Sequence, residues 1–234
     1  MDQARRLEPL LYHKALRDYL KSQEPDAWNW FSSAEALSNY AESLRLDILK
    51  HTYRLDRNSH PELYEIADQV RTTMDLDVAL TIYQSQSSSH LNAALFYLKG
   101  DAHIILEGQI LSLLEASELK ALLAHELSHY LLWQADDGEF LIADRIIQAM
   151  ASDPRTQPPH VQSARRLSLY TEIYADRGSL IVTNDKDAAI STLVKIQTGL
   201  SKVSASSYIQ QANEIFSQTQ VRTNELTHPE AFIR

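Results

Sequence analysis

Apolar residues recur at three- and four-residue spacing along most of this chain, the pattern of helices that bury one face. Leu7, Leu10, Leu11, Ala15 and Leu16 form one such stripe and predict a helix from residue 1 to about 22. After Pro25, the series Leu37, Tyr40, Ala41, Leu44, Ile48 and Leu49 predicts a second helix over about 33–53. Trp28, Trp30 and Phe31 lie between the two as an aromatic wedge, of core or of a subunit interface. Ser59-His60-Pro61-Glu62 reads as a helix start with proline in the first turn. Leu63, Ile66, Ala67 and Val70 carry that helix to about Met74.

The period then changes. Residues 78–83 are few and β-branched, as in a strand, and a polar, serine-rich loop follows over 84–90. Two apolar runs, 93–98 and 102–106, flank Lys99-Gly100-Asp101 and predict a hairpin with glycine in its turn. Residues 108–114 begin a helix, and Ser117 with Glu118 offers a cap for the next one, which is apolar through Leu122, Leu123, Leu127, Leu131 and Leu132. Gly138 ends it, within a solvated Asp136-Asp137-Gly138-Glu139 turn. An amphipathic helix over 140–151, a loop over 153–159 with three prolines, and a helix over about 161–180 complete the pattern. The elements together imply an α+β, predominantly helical fold with a small antiparallel sheet or hairpin. Residues 1–55 form an N-terminal helical extension and residues 56–234 the main domain.

Composition narrows the class. With 31 acidic and 22 basic residues the formal charge is −9, which argues against a surface for nucleic acid or anionic membrane. The absence of cysteine excludes disulfides and thiolate metal sites and fits a reducing compartment. The first 21 residues are charged throughout and lack the apolar core of a secretory signal. No apolar stretch has the length of an uninterrupted membrane span. A soluble, cytoplasmic protein is expected, and any metal in it must be held by histidine and carboxylate alone.

Candidate chemistry sits in His125-Glu126-Leu127-Ser128-His129. On a helix, positions i and i+4 lie one above the other, so the two imidazoles can converge on one cation. Glu126 is turned by about 100° from His125, which lets its carboxylate serve as a general base without ligating. This is the H-E-x-x-H arrangement of zinc peptidases. In an apolar helix the trio is costly to bury without a partner, and a metal removes the cost.

A catalytic zinc takes three protein ligands and leaves one position open. Leu132 and Ala135 stand where a third ligand soon after the second would need glycine and histidine, there is no cysteine, and Asp136 and Asp137 continue the same helix. A glutamate on a later helix remains. Glu172 has Asp176 four residues on, on the same face, where it can accept a hydrogen bond from the outer N–H of a ligand histidine and fix its tautomer. Ala175 is small enough for close helix packing.

These residues carry a resemblance. His125-Glu126-x-x-His129 followed by Glu172-x-x-Ala175-Asp176 resembles the M48 peptidases, a gluzincin family. Leu91-Asn92-Ala93-Ala94 before a strand, Gly108-Gln109-Ile110-Leu111 ahead of Glu118-Leu119, and the closing Thr227-His228-Pro229-Glu230 with Arg234 are similar to segments that occur there in the same order. Ser128 stands where many members carry glycine. The resemblance implies a zincin-like fold, one Zn²⁺ per chain, and an endopeptidase acting on peptides or unfolded proteins; most members are membrane-embedded or exported, and this chain shows neither signal. It implies His125, His129 and Glu172 as ligands, Glu126 as general base and His228 as the group that steadies the oxyanion. It also implies Arg234 as a partner of a carboxylate behind the ligands. Asn92, Ala93 and Ala94 would lie on an edge strand that pairs with extended substrate backbone. Two other readings keep the same site: a zinc-binding scaffold without proteolysis, and a latent protease whose N-terminal helices or residues 133–159 cover the cleft.

Overall fold

Leu11–Gln23 is the first helix, α1, of the computed structural model, which describes residues 7–86, 90–218 and 231–233. It starts later than the leucine spacing implies. Leu7 and Leu10 precede it, and His13 Nδ1 accepts the Leu10 N–H at 3.1 Å, closing the helix start from inside. The aromatic wedge is itself a helix, α2 (Pro25–Phe31), with Trp28 buried and Trp30 exposed. Helix α3 (Ala34–His51) then gives way to a short strand, β1 (Thr52–Arg54), so Tyr53 is not helical. Helix α4 (Pro61–Thr73) begins at its proline, which lacks an N–H that the first turn could not have used.

The remaining elements are β2 (Ala79–Ser85), β3 (Asn92–Leu98), β4 (Asp101–Glu107), α5 (Ile110–Leu113), α6 (Ala116–Gln134), α7 (Glu139–Ser152), α8 (Pro158–Thr183), α9 (Lys186–Thr198) and α10 (Ala205–Gln218). The fold is therefore α+β and mostly helical. Among the described residues no helix is long and apolar enough to cross a membrane. The chain divides into two compact units. One comprises the residues up to Asp47 with Leu131–Tyr174; the other comprises Ile48–Tyr130 with most of the chain after Ala175.

In the first unit, Leu16, Leu20 and Trp28 bury against Ile142, Ala143, Ile146 and Ile147 of α7 and against Ala164 and Leu167 of α8. A second cluster joins Leu132, Phe140 and Tyr174, with Leu7 and Leu10 packed on it. Between α6 and α7 the chain makes one 3₁₀ turn, Ala135–Gly138, in which Asp136, Asp137 and Gly138 take φ of 49°, 56° and 89°. The break thus falls ahead of Gly138. Short polar side chains tolerate left-handed backbone, and Arg17 Nη1 holds Asp136 Oδ2 at 2.5 Å. Helix α8 starts at Pro158, because the fixed φ of proline suits a first turn as well as a loop.

In the second unit, the sheet runs β1-β2-β4-β3. The hairpin is antiparallel, with Leu98 opposite Asp101 and Gly100 at φ +86° in its turn. Strand β2 joins the far side of β4 in parallel, Ile82 opposite Ile104, so the sheet is mixed and not purely antiparallel. Strand β3 runs antiparallel to β4 along its other side, so β2 and β4 point alike and β3 points against both. Strand β4, flanked on both sides, buries Ala102, Ile104, Ile105 and Leu106. Helix α6 is apolar on nearly every face and is buried accordingly. Its first turn is capped by Glu118, whose Oε2 accepts the Glu115 N–H at 2.9 Å. That is the glutamate half of a capping box, and Ser117 is only the second residue of the helix.

Candidate metal centre

Helix α6 presents His125, Glu126 and His129. The spacing of four brings the two imidazole Nε2 atoms to 3.2 Å from one another. Glu126 is buried, and His129 is partly exposed. On α8, Glu172 is buried at 7 % exposure. His125, His129 and Glu172 each offer one ligand atom, and the three atoms lie within 4.8 Å of one another.

Asp176, one turn beyond Glu172, brings Oδ1 to 2.9 Å from His125 Nδ1. A carboxylate is an acceptor, so His125 carries its proton on Nδ1 and donates it there, which leaves the Nε2 lone pair facing His129. One turn further, Ser179 Oγ donates to the Ala121 carbonyl of α6 at 2.8 Å, while Ala175 is fully buried. Ser128, also buried, donates to the Ala124 carbonyl at 2.6 Å and so satisfies its hydroxyl within α6.

The donor set fits a small divalent cation. Two nitrogens bound at about 2.0–2.1 Å in a tetrahedral array stand roughly 3.3 Å apart, close to the separation that α6 already imposes. Two neutral imidazoles and one carboxylate leave a net charge of +1 on a bound Zn²⁺ and keep a fourth position for water or substrate.

The residues named from sequence are distributed as follows. Asn92, Ala93 and Ala94 open β3, an edge strand, with Ala93 buried and the other two half-buried. His228 and Arg234 lie outside the described residues. Two supports escaped the sequence reading. Tyr130, directly after His129, accepts the Gly100 N–H at 3.1 Å and donates to the Leu98 carbonyl at 3.3 Å, so the motif helix grips the hairpin turn. Burial pushes the Tyr130 phenol up, which keeps it a donor. Ser179 continues the Glu172, Asp176 face at i+7, and that periodicity was the available signal.

A family model described as peptidase family M48 matches residues 56–234. No curated protein and no solved structure matches the chain.

Proposed function

Because this chain belongs to peptidase family M48, we propose that it is a zinc-dependent endopeptidase that cuts peptides or unfolded proteins. The observation that carries the proposal is the convergence of His125, His129 and Glu172, whose ligand atoms lie within 4.8 Å. These three would hold one Zn²⁺. When bound, the ion would supply a Lewis acid that lowers the pKa of a water far below its bulk value, to about 7, and polarises the scissile carbonyl.

The chain's own residues supply the rest. The Glu126 carboxylate takes the proton of the attacking water and later delivers it to the leaving amine. Asp176 Oδ1 holds the His125 Nδ1–H and so directs Nε2 inward. His228 is proposed to donate to the oxyanion of the tetrahedral species, and Arg234 to pair with a carboxylate behind the ligands. The edge of β3 at Asn92, Ala93 and Ala94 is proposed to receive an extended substrate backbone, whose main-chain hydrogen bonds give affinity without demanding a sequence. The absence of cysteine supports the cytoplasm as the working compartment.

Metal analysis of the purified, zinc-reconstituted protein tests the site, with about one zinc per chain expected. Cleavage of a denatured protein, with Glu126→Gln as the comparison, tests the chemistry. The variant keeps its zinc and loses turnover by at least about a hundredfold. Equal turnover in the two proteins would remove Glu126 from the reaction, and zinc binding without turnover in either would leave a scaffold.

A further inference from the structure

Resting on the three-ligand reading, we infer that α1, which lies wholly before the family match, is a positioning element for the metal centre: His13 braces, through Thr171, the turn of α8 that presents Glu172.

Helix α8 has two working faces. Glu172, Asp176 and Ser179 share one. Ser163, Tyr170, Thr171 and Tyr174 make up another, and each of them meets the N-terminal segment. Tyr12 donates to the Ser163 carbonyl at 3.2 Å and stacks on Tyr170 with ring centroids 5.1 Å apart. Tyr174 donates to the Leu7 carbonyl at 3.5 Å. At the centre is His13, 2 % exposed, with Nε2 at 3.3 Å from Thr171 Oγ1 and its ring edge-on to Tyr174 at 5.9 Å. Because Nδ1 already accepts the Leu10 N–H, the neutral ring carries its proton on Nε2 and donates it to Thr171. The ring therefore ties the start of α1 to the residue directly before Glu172, in a buried place.

A ligand carboxylate binds well only if it need not be ordered at the moment of binding, and the groups that hold ligands in place typically alter metal affinity by 10–100-fold when lost. On this view the N-terminal helices do not mask a finished site. They complete it, and cutting them away weakens zinc binding instead of unmasking activity.

The full-length protein tests this by Zn²⁺ titration against a competing chromophoric chelator and by the visible spectrum of the Co²⁺-substituted form. His13→Phe keeps the ring volume and removes both hydrogen bonds; Thr171→Val removes the hydroxyl alone. Each is expected to weaken Zn²⁺ about tenfold and to shift the Co²⁺ bands, and Thr171→Ser is expected to restore both. Leu20→Ala, in the α1 core but not on the Glu172 turn, lowers stability and leaves Zn²⁺ affinity at the wild-type value. Wild-type affinity in His13→Phe and Thr171→Val overturns the brace, as does an equal loss in Leu20→Ala. A wild-type chain that takes up no zinc overturns the three-ligand reading itself.

Discussion

His13 shows what burial does to one side chain. Its ring sits among Phe140, Tyr174 and Thr171, and among the described residues no carboxylate beside it stabilises a charge. Burial pushes its pKa down to about 4, against 6.5 for an ordinary histidine. The folded value lies below the unfolded one, so as pH falls the unfolded chain takes up this proton first. The stability tied to neutral His13 is complete above about pH 6.5 and is lost progressively down to about pH 4, amounting to about 3 kcal/mol in all. Urea denaturation across that range, comparing wild type with His13→Gln, should show the difference between the two narrowing as the pH drops. Parallel curves would mean that the ring is not held neutral. Asp176 is the opposite case: its carboxylate is placed where the His125 imidazole N–H needs an acceptor.

At the scale of elements, α6 and α9 are locked by a buried ion pair, Lys195 Nζ to Glu118 Oε2 at 2.8 Å, with both side chains under a tenth exposed. Thr192 Oγ1 donates to the Glu118 carbonyl beside it. Lys195→Met leaves the carboxylate buried without its counter-ion and should cost about 3–5 kcal/mol in chemical denaturation. Adding Glu118→Gln, which keeps an oxygen for the Glu115 N–H, should return most of that loss, because no charge then remains inside. A single-variant cost below about 1 kcal/mol would show the pair to be solvated.

This lock also marks the limit of what the sequence discloses. Local patterns announced α4, the β3–β4 hairpin, α6 and α7, and the spacing of four within single helices brought out both His125 with His129 and Glu172 with Asp176. Helices α9 and α10 went unread. The clearest end signals of α9 are single residues: Asp185, whose side chain accepts the Ala188 N–H at 2.9 Å, and Gly199 at φ +71°. A lysine on its buried face reads as a solvent position until its partner in α6 is known. The parallel pairing of β2 with β4, and the left-handed run that ends α6, depend on contacts that no local window contains.

On the scale of the whole molecule, the two helices proposed to bear the ligands are far apart in the chain, with α7 and a proline-rich turn between His129 and Glu172. A cation held by both would join the two ends of that long intervening segment in the folded form. Binding only to the folded form adds about 4 kcal/mol when free zinc exceeds its Kd a thousandfold. For a chain of this size that corresponds to a rise in melting temperature of roughly 8–16 °C. Calorimetry with and without zinc checks the figure, and an unchanged melting temperature would mean that the folded chain does not bind zinc in preference to the unfolded one. If zinc is the cofactor, as proposed, then in a cell short of it the chain would do more than lose activity. It would open more often, be degraded sooner, and fall in abundance, so that nutrient supply would govern the amount of this protein as well as its capacity to act.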